Sequence, residues 1–419
     1  MTSNHSSFAS VEDVILVIGS CCLDRLLTVS SYPSADEKIR STAYHEGGGG
    51  NAANTAHTMA LLANASFLNK VIRIKLLTKI GNDDVGRQLT EELQTAGVDL
   101  SSPLFITAGG DTTTPFTTVV VSELEHTRTC IHTPGTCGEL VLKDLEDVTI
   151  DQILENVVHL HSDCRHTNLA FALAREARNR GIPVSVDAEK DRHIESMDGL
   201  LDLATLLFTN STQLDTYFAR RIGELNGTNI DELPEILPSV LEPKNIHLVC
   251  QKSVAPSRYF LQWYGQRAKE VVITKGSMGA LHISCCATSA TMSEPIPSVH
   301  DLPSETSGNT LIAVETITGK KRMYTIHSAG VLRKDINIVD PTGAGDAFIG
   351  AFILSRFAST TKDHIQFGLN FGSWVAGRKL GGTGARSALP RASAVDMCLG
   401  RTVEEMEATL SSSISGFGS

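Results

Sequence analysis

Short apolar runs of strand length alternate with helical patterns along this 419-residue chain, and that alternation constrains the fold more than any other feature. Residues 14–19 (VILVIG) are β-rich and end in Gly. Residues 51–63 have helical composition, 76–80 read as a strand, and 84–96 read as an amphipathic helix. That helix carries Val85, Leu89 and Leu93 on one face and stops at Gly97. Residues 157–161, 184–187, 206–209, 246–250 and 271–274 are further strands, and 167–180, 343–355 and 363–379 further helices. Strands alternating with helices predict an α/β fold, a doubly wound and mostly parallel sheet flanked by helices.

Two regions break the rhythm. Residues 26–47 hold no long helix pattern, and 117–132 read as a hairpin with a polar ELEH connection. Together, over about 26–47 and 112–134, they predict a small antiparallel β lid on the main sheet. The Ser-, Thr- and Pro-rich stretch 287–309 reads as an insertion loop. Residues 1–12 read as a flexible tail and 401–419 as a C-terminal helix and tail, leaving 13–400 as one domain.

Composition removes several functions. The net charge of −11 argues against a nucleic-acid surface, though a local nest of amides can still hold a small anion. No apolar run approaches the roughly 18–20 residues of a membrane span, and the first dozen residues carry no export or import signal. The expectation is a cytoplasmic protein. Nine cysteines, with no C-x-x-C and no zinc spacing, read as reduced thiols.

The strongest chemical signal is Asp340-Pro341-Thr342-Gly343-Ala344-Gly345-Asp346-Ala347-Phe348. Small residues at 343–345 turn the backbone tightly into a helix start, where unpaired N–H groups and the helix dipole favour an anion. Asp346 at that end could take a proton from an attacking hydroxyl, or could simply cap the helix. The second signal is Gly47-Gly48-Gly49-Gly50-Asn51-Ala52-Ala53-Asn54. Glycines permit close approach or unusual φ, and the Asn51 and Asn54 amides, three residues apart on one helix face, suit sugar hydroxyls. A flexible turn with an Asn cap is the plainer alternative.

Paired in this order, the two motifs resemble those of the PfkB or ribokinase-like carbohydrate kinases. Val17-Ile18-Gly19 with Asp24 is similar to that family's first strand and sugar-binding aspartate. Residues 32–40 (YPSADEKIR) are similar to its lid entry, 79–86 to its G-x-D-x-x-G stretch, 272–280 to its V-T-x-G-x-x-G segment, and 384–390 (GARSALP) to its closing G-A-x-x-S-x-P. The resemblance spans roughly 13–395. Within the family, YPSADEKIRS, GGNAAN, VSVDAEK and VAGRK look closest to ketohexokinase-like members.

The resemblance implies a ribokinase-like fold and ATP-dependent phosphorylation of a small sugar, ketohexose-like or ribose-like. It implies Asp346 as catalytic base and Gly343, Ala344 and Gly345 as the γ-phosphate cradle. Asp24, Gly49, Gly50, Asn51 and Asn54 would hold the sugar. Thr274, Gly276, Gly279, Gly343 and Gly345 would lie along the nucleotide, with Gly384 and Ser387 at the adenine or at a monovalent cation such as K⁺. Mg²⁺ would ride on the phosphates of ATP; no protein metal ligand is assigned. The family's N-x-x-E reads Asn210-Ser211-Thr212-Gln213 here, and Gln213 supplies no carboxylate. Other readings are a nucleoside kinase on the same scaffold and a catalytically weak sugar- or nucleotide-binding regulatory protein. The lid could also pair two copies into a homodimer.

Four other features have plainer readings. GNDDVGR at 81–87 lacks the Lys-Ser/Thr of a Walker A loop and reads as a turn and helix start. His159, His161 and His166 read as packing or pocket lining rather than metal ligands. Arg128 and Lys190 read as solvated charges that could reach a ligand. Cys21 and Cys22 read as pocket lining near Asp24.

Overall fold

The structure, a computed structural model, describes residues 12–68, 70–101, 105–125, 127–189, 195–210, 270–287, 310–317, 320–330, 337–358, 361 and 363–413. Strand β1 (Asp13–Ile18) is an interior strand of a ten-stranded sheet, third from one edge. On one side of it lie β4 (Ile72–Ile80) and β5 (Phe105–Thr107). On the other lie β8 (Val157–Ser162), β9 (Val184–Asp187), β10 (Leu206–Asn210) and β11 (Glu270–Thr274), all parallel to β1. The antiparallel strands β12 (Ala280–Ala287), β14 (Lys320–Ala329) and β13 (Thr310–Ile317) finish that edge.

Parallel strands covered on both faces must be apolar throughout. In β1, Ile15 and Val17 enter one core with α1 (Asn51–Leu62), α6 (Ala344–Ser355) and α7 (His364–Lys379). Val14, Leu16 and Ile18 enter the other, with α4 (Thr167–Asn179) and α5 (Glu195–Leu203). The period-two division is what a doubly wound sheet requires. Helix α2 (Asp84–Ala96) starts at the GNDD corner, where Asp83 accepts from the Gly86 and Thr114 N–H groups, and ends at Gly97 with φ +94°. Shorter helices are α3 (Ile150–Ile153), α8 (Ala392–Leu399) and α9 (Val403–Ser413).

The lid is a four-stranded sheet in the order β3 (Ala43–Gly49), β2 (Cys22–Val29), β6 (Phe116–Ser122), β7 (Thr127–Thr133). Its two outer pairs are antiparallel, while β2 and β6 at its centre run parallel, with Leu23 opposite Phe116. The chain leaves the main sheet twice, after β1 and after β5. Both departing strands run outward together, so they meet in parallel.

Differences from the sequence expectations have local causes. Strand β4 begins at Ile72 rather than 76, because Arg73 and Lys75 alternate with apolar residues where β5 does not cover the strand. The β13–β14 hairpin was not expected. Ala287, expected as the first loop residue, still pairs with Arg322 at the end of β12. The C-terminal helix α9 is no appendage to the domain: Val403, Met406 and Leu410 are buried in the same core as Phe371 and Trp374. The expected strand at 246–250, Gln213, Lys190, residues 1–11 and the loop 288–309 lie outside the described residues.

Candidate active site

A cleft of about 940 Å³ opens at the carboxyl ends of the parallel strands, under the lid. That is where open α/β sheets place ligands. Asp24, Gly50, Asn51, Asn54, Thr274, Gly276, Gly343, Gly345 and Asp346 line it together, although they are drawn from residues far apart in sequence.

Asp346 sits in the first turn of α6, whose N-cap Gly343 has φ +78°. A Cβ on Gly343 would meet the Ala385 carbonyl oxygen at 2.6 Å, so only glycine can make this turn. The first helical bond runs from the Ala347 N–H to the Gly343 oxygen, leaving the earlier N–H groups ahead of the ladder. Of these, the Ala344 N–H turns back to the Pro341 oxygen (3.2 Å). Gly345 has open space on the side where a Cβ would stand, which leaves room for a ligand.

The Asp346 carboxyl accepts from Asn54 Nδ2 at 2.8 Å. Burial, and then the charges of Glu189, Asp163 and Asp24, push its pKa up to about 8 against the opposing Asn54 bond. Asn54 is held in turn: Arg386 Nε donates to its Oδ1 (2.9 Å), and Arg386 Nη2 donates to the Gly49 oxygen (2.8 Å). Asp24 is raised to about 6 by burial, with Arg386 pulling the other way.

The glycine run has separate tasks. A Cβ on Gly48 would strike the Arg386 guanidinium at 2.0 Å, and one on Gly49 would strike the Asp24 carboxyl at 2.2 Å. Gly50, with φ +88°, turns the chain into α1. Gly49→Ala should therefore displace Asp24 without straining the backbone. We expect a folded protein whose acceptor KM rises roughly tenfold, the effect of one lost charge-assisted hydrogen bond, measured by acceptor titration at saturating ATP.

Other expected site residues stand back from the cleft. Gly279, with φ +85°, closes the turn after β11, its oxygen accepting from the Lys275 N–H. The Ser387 hydroxyl donates to the Thr383 oxygen within its own turn. Gly384 N–H donates to Asp340 Oδ2 (2.7 Å), and Thr342 N–H to Asp340 Oδ1 (2.9 Å). Buried Lys379 donates to the Asp340 and Gly382 oxygens. Asp340 and Lys379 thus clamp the closing GARSALP loop to the 340–346 turn. The histidines split as expected of packing residues: His159 and His161 share the buried Ser185 hydroxyl, and His166 lines the cleft. Among the described residues no three His, Cys, Asp or Glu side chains could hold a metal ion. Burial raises the Cys21 thiol to about 11 and raises the Cys22 thiol well above its ordinary value, so both stay protonated.

Four residues that matter here were missed in the sequence. Asp163, at the end of β8, takes the Ser20 N–H (2.9 Å), the Ser20 hydroxyl and the Ala52 N–H (3.1 Å) on one oxygen, anchoring the head of α1. A carboxylate directly after an apolar strand was the available signal. Asp187 at the end of β9 carries the same signal, and burial raises its pKa well above the ordinary value. Glu189 accepts from the Asn51 amide. Arg386 lay between two residues already singled out.

Comparisons with known proteins place this geometry. Residues 13–301 and 318–388 match the family described as pfkB family carbohydrate kinase. An ATP-dependent ribose-1-phosphate kinase from Halopiger xanaduensis is 27% identical over 200 residues, which is 48% of this chain and 62% of that enzyme. The fold is similar to the ribokinase of Giardia lamblia (TM-score 0.64, 16% identity, 93% of this chain and 99% of that one). It is also similar to the nucleoside kinase of Methanocaldococcus jannaschii (TM-score 0.59, 17% identity, 94% of this chain and 98% of that one).

Proposed function

The chain belongs to the pfkB family of carbohydrate kinases, and from that premise we propose that it transfers the γ-phosphoryl group of ATP to a hydroxyl of a small sugar. One observation carries this reading. Asp346, buried at the head of α6 beside an open glycine turn, shares its cleft with Asn51, Asn54 and Asp24.

The chemistry follows from the placement. The acceptor hydroxyl lies against Asp24 and Asn54, and its proton passes to the Asp346 carboxylate. The oxygen attacks the γ-phosphorus in line. The bond to the bridging β–γ oxygen breaks, and ADP leaves with the electron pair. N–H groups at the head of α6 stabilise charge on the transferring oxygens. Mg²⁺ would arrive on the phosphates of ATP and would neutralise their charge. Lid closure excludes water and so limits idle ATP hydrolysis.

Acceptor-dependent ADP release from Mg-ATP tests the proposal, run over ketoses, aldoses and nucleosides. No turnover with any of them would overturn it. Resemblance to ketohexokinase-like members favours a ketohexose. The similar proteins named above favour a ribose-type or nucleoside acceptor, and the panel decides. Repeating it without K⁺ tests the monovalent-cation expectation.

The pH dependence has a defined sign. Only the ionised carboxylate accepts the proton, and Asp346 ionises near 8 in the free enzyme. We expect kcat/KM to rise with pH up to about 8 and then level off. A profile flat from pH 6 to 9 would remove Asp346 as the base.

Two further readings complete the proposal. Strands β3 and β7 are lid edges with exposed Tyr44 and Ile131, which suits pairing of two lids in a homodimer, tested by sedimentation velocity. Among the described residues no helix is long and apolar enough to cross a membrane, and we propose a cytoplasmic enzyme.

A further inference from the structure

We propose, resting on the kinase reading above, that the Lys379 ammonium stands where a free monovalent cation was expected at the closing loop. It is a tethered charge behind the anion turn, and the protein works without K⁺.

Lys379 is the last residue of α7 and is 0% exposed. No other Lys, Arg, Asp or Glu among the described residues is buried so completely. Its neighbour Arg378 does the opposite: it is exposed and lies over the Trp374 ring at 5.1 Å. Lys379 turns inward, to a point where two carbonyls converge. Its Nζ donates to the Asp340 oxygen (2.9 Å) and to the Gly382 oxygen (3.0 Å). The chain leaving α7 folds back at once and so presents the second of these: the Gly382 N–H donates to the Lys379 oxygen (3.2 Å). The first is set by Leu380, whose oxygen accepts from the Val339 N–H (2.8 Å) and the Asp340 N–H (3.2 Å). The carboxyl end of a helix is the negative pole of its dipole and favours a cation.

These carbonyls are the ligands a K⁺ ion would use. K⁺ is held by backbone oxygens that replace its water, and Asp340 and Gly382 already give theirs to an ammonium. Other oxygens of the loop are engaged as well. The Ser387 hydroxyl donates to the Thr383 and Gly384 oxygens, and the Asp340 carboxylate accepts from the Thr342 and Gly384 N–H groups. An ion beside the ammonium would be repelled by it. The closing loop therefore does not fit a free K⁺ ion.

A neutral donor could tie two carbonyls together with less desolvation than a buried ammonium. The charge has a further effect. Asp340 opens the turn that leads through Gly343 to Asp346. Against burial, the Thr342 and Gly384 bonds and the Lys379 charge hold its pKa below the ordinary value. Left alone, that carboxylate would stand behind the head of α6 and oppose an incoming phosphoryl group. The ammonium offsets it, so the helix N–H groups act on the transferring oxygens without an opposing charge at their back. The same two bonds join the closing loop, and with it Arg386, to the turn that carries Asp346.

The test compares KCl, NaCl and tetramethylammonium chloride at one ionic strength, using the full chain and ATP as its Tris salt with MgCl₂. Acceptor-dependent ADP release and the denaturant midpoint without acceptor are both read. For the native protein we expect turnover to vary by less than roughly twofold and the midpoint to hold, because screening is matched across the salts. Lys379→Ala should lose roughly 100-fold in turnover in tetramethylammonium, the effect of one missing electrostatic group. K⁺ should enter the vacated space, recover roughly tenfold of that loss and raise the midpoint as its concentration rises. Lys379→Met fills the space with an uncharged chain and should stay low in every salt. A native turnover or midpoint that rises severalfold or by a clear step in K⁺ over tetramethylammonium would overturn the proposal. So would a folded alanine variant indifferent to K⁺, which would leave Lys379 as a structural tie. Should the alanine variant not fold, the native salt series decides by itself. If no acceptor releases ADP, the kinase reading fails, and the midpoints, which need no acceptor, judge the tethered cation separately.

Discussion

Asp346→Asn is expected to lose roughly 10²–10⁴-fold in turnover, the usual contribution of a positioned base, while the folded protein becomes more stable. The amide keeps the size of the side chain and an oxygen for the Asn54 Nδ2 bond, so the cleft should keep its shape. The stability gain has a definite sign. The folded pKa is raised from 3.8 to about 8, so between those values the folded state holds a proton that the unfolded chain has released. Stability is therefore fully present below about 4 and is lost as pH rises towards 8. Each pKa unit is worth ~1.4 kcal/mol, so at pH 7 the asparagine variant should gain up to a few kcal/mol. Denaturant unfolding at pH 5 and pH 8 reads this directly: the gain should be larger at pH 8. Near-native turnover in the variant would transfer the base to another group. An unchanged midpoint at pH 8 would mean that the carboxylate is solvated.

The second large effect is expected at Arg386. The residue is 7% exposed, and its guanidinium bonds both Asn54 and the Gly49 oxygen and lies 3.4 Å from Glu92. It is also the main cation, ahead of Arg128, that holds the Asp24 pKa down against burial. Arg386→Met would leave two acceptors without this donor and Asp24 without its main compensating charge. Losing one partner of a buried ionic network costs about 3–5 kcal/mol. We expect a loss of that size by denaturant unfolding, together with a steep fall in acceptor kcat/KM. Arg386→Lys keeps the charge but not the fork that reaches both acceptors, and should recover stability better than turnover. A methionine variant of native stability would show that the network contributes little to the fold.

The contrast between these two positions explains what could be read from the sequence. Asp346 lay in a motif whose small residues and helix start already declare an anion site. Arg386 declares itself only in three dimensions, because its partners at 49, 54 and 92 come from the other end of the chain. Asp163 and Asp187 are similar: each is one carboxylate at a strand end, given meaning by the strands and helix beside it. The fold was legible where apolar runs were uninterrupted, as in β1, β9 and α2. It was obscured where charge enters the alternation, as at Arg73 and Lys75 in β4. The hairpin of β13 and β14 follows a long polar stretch and extends the sheet beyond its parallel part, so the strand–helix rhythm gave no place for it. Ser387 and Gly279 were picked out by motif position alone, and the bonds that hold them within their own turns could be found only in three dimensions.

The parallel pairing of β2 with β6 bears on the order in which the molecule assembles. Leu23 can meet Phe116 only after α1, β4 and α2 have brought the second excursion of the chain beside the first. Such a distant closure comes late in folding, because its entropy must be overcome before any contact rewards it. What forms last on a finished scaffold also separates first. Amide protons of β2, β3, β6 and β7 should exchange through a partial opening that leaves β1 and β8 protected. The last intermediate on the folding route and the open form that admits substrate would then be one and the same conformation.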